Sequence, residues 1–103
     1  VESMERKSGK FLAAFNHKAS DENEQVVTVL SHDSGHYKIK QIAGLIARRI
    51  LCYAQPGQKM HKGGRLGFIR FGSRTDLIMP AHVDVKVEVG QNVTGGETII
   101  GQL

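Results

Sequence analysis

Residues 69–76 have the sequence Ile69-Arg70-Phe71-Gly72-Ser73-Arg74-Thr75-Asp76, and two strand-like segments meet there. At the junction, Gly72 and Ser73 place a small residue and a hydroxyl where a sheet would otherwise continue. Glycine has no Cβ to shield its carbonyl, and it can adopt backbone angles that are closed to other residues. The carbonyl of Gly72 is therefore open to attack by the Oγ atom of Ser73.

The segments on either side of this junction predict further strands. Upstream, residues 25–30 are mostly β-branched or apolar, residues 33–35 supply turn chemistry, and residues 36–42 alternate with period two, which together predict a hairpin. Downstream, residues 82–89 alternate in the same way and predict a strand with its valines on one face. The polar run at residues 16–24 predicts a solvated loop.

Two segments of the chain share one pattern. Residues 57–66 and residues 90–99 both match Gly-Gln-x-apolar-x-x-Gly-x-x-apolar, and each stands between two strand-like segments. This pattern resembles the strand corners, or half-motifs, of biotinyl and lipoyl carrier domains. We therefore predict a mainly β domain over residues 1–103, a sandwich or barrel with two similar strand corners and little helix.

Charge and composition limit the classes of partner. Residues 1–72 carry twelve basic and six acidic side chains, and residues 73–103 carry two and four. A basic face suits nucleic acid, an anionic membrane or an acidic small molecule. Four Phe, two Tyr and no Trp are few for stacking on bases, so we expect no nucleic acid partner.

Other features point away from a disulfide, a membrane span and a metal. The single cysteine, Cys52, has no partner in the chain and is predicted to be a buried structural thiol. The longest apolar helical stretch is too short to span a bilayer. The polar start resembles no signal peptide and lacks an initiator Met, so we expect a fragment or a processed product. His32 and His36 are four residues apart, a spacing that suits a metal on a helix, but here a turn separates them and the flanking segments are strands, so we expect no metal site.

Short motifs extend over nearly the whole chain from Gly9 onward. They are Gly9-Lys10-Phe11 with Ala14-Phe15, Lys18-Ala19-Ser20, Glu22-Asn23-Glu24, Gln41-Ile42-Ala43-Gly44-Leu45-Ile46-Ala47-Arg48-Arg49-Ile50, and Gly67-Phe68-Ile69-Arg70-Phe71-Gly72-Ser73-Arg74. This combination resembles the C-terminal half of a phosphatidylserine decarboxylase of the short bacterial and archaeal form. The two longer motifs in this order are specific, whereas a lone Gly-Ser pair is not.

The resemblance implies a proenzyme that cleaves itself between Gly72 and Ser73. Ser73 Oγ would attack the Gly72 carbonyl to form an ester, elimination would leave dehydroalanine, and hydrolysis would release ammonia. Residues 1–72 would end the larger chain, and residues 73–103 would form a smaller chain that begins with a pyruvoyl group. That group, derived from Ser73, would be the cofactor, with neither a metal nor pyridoxal phosphate.

The implied activity is that of a lyase in phospholipid biosynthesis, which converts phosphatidylserine into phosphatidylethanolamine and CO2. The pyruvoyl ketone would react with the substrate amine and accept the electron pair as the carboxylate leaves. Besides Ser73 and Gly72, we expect Arg70, Arg74 and Asn23 to contact the substrate, since arginine suits carboxylate and phosphate.

The resemblance also implies a membrane setting and a missing partner. We expect the parent protein on the cytoplasmic side of an anionic membrane, peripheral or anchored through segments outside these residues. In the family, an Asp and a His in an N-terminal segment resembling S-P-x-D-V-H assist self-cleavage, and no such segment occurs here. We therefore expect the N-terminal half of the parent chain as a partner, and an uncut, inactive chain without it. A homodimer is compatible with the sequence.

Two other classes of function stay open from the residues alone. A carrier or interaction module without catalytic activity would match the doubled corner, but carriers need an exposed lysine at a hairpin tip between their half-motifs. Residues 71–74 and 79–81 contain no lysine. A small basic β domain that binds RNA would need a cluster of surface aromatic residues, which the composition does not favour.

Overall fold

The computed structural model describes residues 1–12, 16, 18–44, 49–69 and 73–102. Because short β-branched segments alternate with turn residues, the chain folds into strands joined by turns. The elements are β1 (Ser3–Lys7), α1 (Ala19–Glu22), β2 (Gln25–His32), β3 (Gly35–Ile42), β4 (Ile50–Cys52), β5 (Gly67–Ile69), β6 (Arg74–Ile78), β7 (Asp84–Val85) and β8 (Gly101–Gln102). The prediction of a mainly β domain with little helix is confirmed.

The main sheet is antiparallel and has the strand order β1-β2-β3-β6. β2 and β3 form the predicted hairpin, in which Gln25 stands opposite Ile42. β6 pairs with the other side of β3, from Ile42 opposite Arg74 to Lys38 opposite Ile78. The start of β6 therefore lies beside the end of β3.

Two small antiparallel sheets complete the described elements. β4 pairs with β5, and β7 pairs with β8. Among the described strands, β6 is consequently the only one in residues 73–103 that pairs with a strand of residues 1–72. The sandwich or barrel arrangement of these sheets stays a prediction.

The buried core lies where β2 meets the ends of β3 and β4. Its cluster consists of Val26, Ala43 and Ile50, with Met4, Phe11, Cys52 and Ile69 packed against it. A buried side chain of the size of Val26 or Ile50 contributes about 1.5–3 kcal/mol to the stability of the fold. Cys52 is partly buried in this cluster, with its Sγ atom 3.7 Å from Thr28 Oγ1. The thiol therefore packs against the core, but it is less buried than predicted.

The prediction of a solvated loop at residues 16–24 is wrong. Residues Ala19–Glu22 form α1, and both Ala19 and the following Asn23 are 0% exposed. The side chain of Asn23 binds the backbone of Leu12 and Ala43, and Ser20 binds the Asp76 carboxylate. A hydropathy pattern does not reveal such partners.

The predicted strand at residues 82–89 is also wrong over most of its length. Only Asp84–Val85 forms a strand. Val83 is buried, but Val85 and Val89 are exposed. Val83 is therefore covered, but no described segment covers Val85 or Val89. Without burial, strand preference alone does not extend the pairing.

The two predicted corners share the same turn geometry. In the first corner, Gln58 donates its N–H to the carbonyl of Gln55 at 3.0 Å, and its Oε1 accepts the N–H of Gln55 at 3.0 Å. In the second corner, Gln91 makes the same two bonds with Glu88, at 3.1 and 3.0 Å. The glutamine of the repeated pattern therefore closes each turn with its own side chain.

Both corners also need a glycine in the left-handed region of backbone angles, and this predicts a substitution effect. Gly96 has φ of 77°, whereas Gly95 is not among the glycines with positive φ. A Cβ atom at either position would meet nothing within 4 Å. We expect Gly96→Ala to lower the free energy of unfolding by about 1 kcal/mol because of backbone strain, and Gly95→Ala to leave it nearly unchanged. Urea unfolding of the full-length protein measures both, and equal effects would contradict this explanation.

Candidate functional site

Ser73 lies directly before β6 and is partly buried. The neighbouring residue, Arg74, forms the last pair of the β3–β6 ladder with Ile42. The main sheet therefore fixes the chain immediately after Ser73. Gly72 and Arg70 lie outside the described residues, and the roles predicted for them stay predictions.

Arg74 and Asp76 form an ion pair that reaches α1. Arg74 donates to Asp76 from Nε to Oδ1 at 2.6 Å and from Nη2 to Oδ2 at 3.2 Å. Ser20 of α1 donates its Oγ–H to Asp76 Oδ2 at 2.6 Å. We call the side chains of Ser20, Arg74 and Asp76 the β6 clasp. The clasp joins α1 to the residue that follows Ser73.

The carboxylate of Asp76 is charged in this setting. Partial burial raises the pKa of Asp76, but the hydrogen bonds from Arg74 and Ser20 lower it. The charges of Arg74 and Lys40 lower it further, and the net result is a pKa below the ordinary value. The bonds to Asp76 are therefore charge-assisted at neutral pH. Because the Arg74 guanidinium already binds Asp76, a substrate group contacted by Arg74 would have to share the guanidinium with Asp76.

Asn23 fixes the strand end that lies opposite Ser73. Its side chain donates from Nδ2 to the carbonyls of Leu12 at 2.8 Å and Ala43 at 2.7 Å, and its Oδ1 accepts the N–H of Leu12 at 3.0 Å. Ala43 in turn donates its N–H to the carbonyl of Glu24 at 3.0 Å. Since Ala43 directly follows β3, these bonds hold the end of the ladder beside Ser73. The substrate contact expected of Asn23 stays a prediction.

The N-terminal motif packs against the same region. Lys10 donates its N–H to the carbonyl of Glu22 at 2.8 Å and accepts the N–H of Glu24 at 2.9 Å. A Cβ atom at Gly9 would overlap the carbonyl oxygen of Glu22, so this approach requires glycine. The motifs that start at Gly9, Lys18, Glu22 and Gln41 therefore converge near the start of β6.

Gln41 is a residue near the site that the sequence did not single out individually. It stands opposite Thr75 in the β3–β6 ladder and is 5% exposed. Its Nε2 donates to the carbonyl of Leu51 at 3.3 Å, whereas its buried Oε1 has no hydrogen-bond partner within the described ranges. Strand alternation assigns Ser73 to the same sheet face as Thr75. A buried acceptor without a hydrogen bond lowers the stability of the fold by about 1–3 kcal/mol. The position of Gln41 near Ser73 follows from the strand register, which the sequence alone does not give.

Neither a metal centre nor a membrane-spanning helix is found in the part of the chain that the structure describes. No group of three or more His, Cys, Asp or Glu side chains there is arranged to hold a metal ion. No helix there has both the length and the apolar character needed to cross a membrane. His32 of the histidine pair is hydrogen-bonded through Nδ1 to Ser34 Oγ at 2.8 Å.

Comparison with known proteins identifies the relatives of the chain. The family profile described as phosphatidylserine decarboxylase matches residues 1–101. The chain is 46% identical over 104 residues to the phosphatidylserine decarboxylase proenzyme of Wolbachia sp. subsp. Brugia malayi, and 47% identical over 96 residues to that of Geobacter sulfurreducens. These alignments cover 100% and 92% of the chain, but only 45% and 44% of the two relatives. No solved structure matches the chain. The chain thus spans less than half the length of these relatives.

Proposed function

The chain belongs to the phosphatidylserine decarboxylase family, and we propose that its parent protein converts phosphatidylserine into phosphatidylethanolamine and CO2 after cutting itself between Gly72 and Ser73. The observation that carries this proposal is the position of Ser73, partly buried and directly before β6, in a chain that matches the family over residues 1–101. A serine hydroxyl held at a strand end stays close to the carbonyl that it attacks, so the reaction needs no chance encounter between separate molecules.

In the proposed cleavage, covalent bonds change only in Gly72, Ser73 and one water molecule. Ser73 Oγ adds to the carbonyl carbon of Gly72, and the C–N bond of the peptide breaks, which leaves an ester and a free amine on residue 73. Loss of the α proton of residue 73 expels the Gly72 carboxylate and leaves a dehydroalanine residue. One water molecule then converts this residue to a pyruvoyl ketone and releases one ammonia. No oxidant or reductant is consumed.

The residues around position 73 suit a pyruvoyl group at the start of a chain. Arg74 is paired with Ile42 in the sheet and with Asp76 in the β6 clasp. After the bond to Gly72 is cut, residue 73 would therefore stay joined to Arg74, which the main sheet and the β6 clasp hold in place. A pyruvoyl ketone supplies the electron sink for decarboxylation, and the partial burial of residue 73 limits the access of water to it.

We also propose that the parent protein works on an anionic membrane surface at the cytoplasmic side. The first corner exposes Lys59, Lys62 and Arg65, and such charges attract anionic lipids by about 1 kcal/mol each near the surface. We expect binding to phosphatidylserine vesicles to weaken as salt rises, because the screening length falls to about 10 Å at 0.1 M. Vesicle sedimentation measures this, with Lys59→Gln/Lys62→Gln/Arg65→Gln as the weakened variant. Binding that ignores both salt and these substitutions would contradict the proposal.

Mass spectrometry of the purified full-length parent tests the proposed maturation. We expect two chains, of which the larger ends at Gly72 and the smaller begins at residue 73. The smaller chain should be lighter, by one ammonia, than the same chain with an N-terminal serine. An unmodified serine at that end would contradict the pyruvoyl group, and a biotin or lipoyl adduct on a lysine would favour the carrier alternative.

A further inference from the structure

We propose that the β6 clasp holds the new chain end at residue 73 in position after the bond between Gly72 and Ser73 has been cut. This inference rests on the proposed function, since it concerns the cleaved state. It assigns Ser20 and Asp76 as positioning residues for decarboxylation. Neither residue needs to touch the substrate in this role.

The need for such a tie follows from the strand connections. β7 and β8 pair with each other, so β6 is the only described strand of residues 73–103 that pairs with residues 1–72. Cleavage would remove the covalent link at the start of β6, where Ile42 and Arg74 form the terminal pair. Chain ends fray more readily than strand centres. The reactive residue would therefore sit at a free end of the only described strand that connects the two products.

The clasp restrains this end from both sides of the cut. Ser20 and Asp76 are 56 residues apart and would belong to different chains after cleavage. Arg74 Nη1 also approaches the carbonyl of Asn16, at 3.5 Å. The Arg74 and Asp76 side chains are only 33% and 21% exposed, which reduces competition from water. Charge-assisted bonds of this kind are roughly twice as strong as neutral ones.

The anchor of the clasp on the larger chain is itself held in place. The carbonyl of Ser20 accepts hydrogen bonds from Gln25 Nε2 at 2.9 Å and Lys40 Nζ at 3.4 Å. Gln25 begins β2 and Lys40 lies in β3, opposite Asp76. Ser20 is therefore tied to the two central strands of the main sheet, and it can transmit their rigidity to Asp76.

The geometry separates this role from a role in the cleavage step. Asp76 lies on the sheet face of Arg74, and strand alternation assigns Ser73 to the opposite face. The carboxylate also has its oxygens occupied by Arg74 and Ser20. Asp76 is therefore not placed to take the proton from Ser73. Loss of the clasp should impair turnover in the cleaved protein while leaving cleavage itself intact.

The test compares clasp variants of the full-length parent after maturation. We expect Ser20→Ala and Asp76→Asn to yield both chains with the same masses as the wild type, but to lower kcat about tenfold, a loss of about 1.4 kcal/mol in transition-state stabilisation, with KM changed much less. Hydrogen exchange at the amides of residues 74–76 should become faster in the cleaved variants. Ser20→Thr, which keeps the hydroxyl, should restore both kcat and slow exchange. Ser31→Ala and Asp33→Asn, at exposed positions of the hairpin, are the matched controls.

The outcomes separate this inference from the function on which it rests. A wild-type parent that stays uncut or inactive would reject the proposed function before any clasp variant is made. A cut and active wild type whose Ser20→Ala and Asp76→Asn variants keep normal kcat and exchange would overturn the clasp alone. Equal loss in Ser20→Ala and Ser20→Thr would also overturn it. Should Asp76→Asn fail to fold by circular dichroism, the two Ser20 variants still decide the matter.

Discussion

Replacing Ser73 by alanine in the full-length parent should leave a single uncut chain without decarboxylase activity. Alanine removes the Oγ atom that attacks the carbonyl of Gly72, so neither the ester nor the pyruvoyl group can form. The expected loss is complete rather than partial, because the same atom starts the only route to the cofactor. Denaturing gels, intact mass and release of CO2 from phosphatidylserine vesicles measure the three consequences.

A matched serine variant makes this result specific. Ser31 is an exposed serine on β2, and Ser31→Ala should be cut and active like the wild type. Cleavage at the same bond in Ser73→Ala, followed by normal turnover, would refute the role of the Ser73 hydroxyl. An uncut wild type with full activity would refute the pyruvoyl mechanism as a whole.

Replacing Asn23 by alanine should produce the largest loss of stability among single substitutions outside the apolar core. The Asn23 side chain is 0% exposed and makes three hydrogen bonds to the backbone of Leu12 and Ala43. Each buried backbone group left without a partner costs about 1–3 kcal/mol. Water can reach the partly buried Leu12 groups, so we expect a total near 3 kcal/mol, within the range known for broken buried networks.

Urea unfolding in a Ser73→Ala background measures this loss, because that background keeps the protein as one chain and supports a simple two-state treatment. Asn92 is an exposed asparagine in the second corner, and Asn92→Ala provides the same chemical change without burial. We expect Asn92→Ala to change stability by less than about 0.5 kcal/mol. Equal effects of the two alanines would show that the buried bonds of Asn23 contribute little.

The sequence was sufficient for the features that depend on neighbouring residues. β-branched content and turn residues predicted the β2–β3 hairpin, and the shared pattern predicted two equivalent corners, because strand preference and turn geometry act over a few residues. The motif around Ser73 likewise located the candidate reactive residue next to β6. These predictions required no knowledge of distant contacts.

The features that depend on distant contacts were missed. The burial of Asn23 comes from carbonyls at Leu12 and Ala43, far away along the chain, so its polar segment resembled a loop. The valines of residues 82–89 alternate in the sequence, yet the strand stays short and Val85 and Val89 are exposed. An alternating pattern predicts which face of a strand is apolar, but it does not predict which segment packs against that face.

The clasp illustrates the same limit at the candidate site. Ser20 belongs to a motif that supported the family resemblance, and Asp76 stood within the stretch around Ser73, but nothing in either segment pairs the two. Their contact depends on the β3–β6 register, which sets Asp76 opposite Lys40, and on the bonds from Gln25 and Lys40 to the carbonyl of Ser20. The proximity of Gln41 to the site was missed for the same reason, because the strand register places Gln41 opposite Thr75.

The duplicated corner has a practical use, because one copy precedes Ser73 and the other follows it. If the parent is cut as proposed, each product carries one of two turns with matching hydrogen bonds, closed by Gln58 and Gln91. Reporter groups attached at the equivalent exposed positions Lys59 and Asn92 would then start on turns with the same hydrogen bonds. If the two signals diverge during maturation, the one that changes identifies the product whose turn becomes more mobile. The turn on the other product serves as the internal reference.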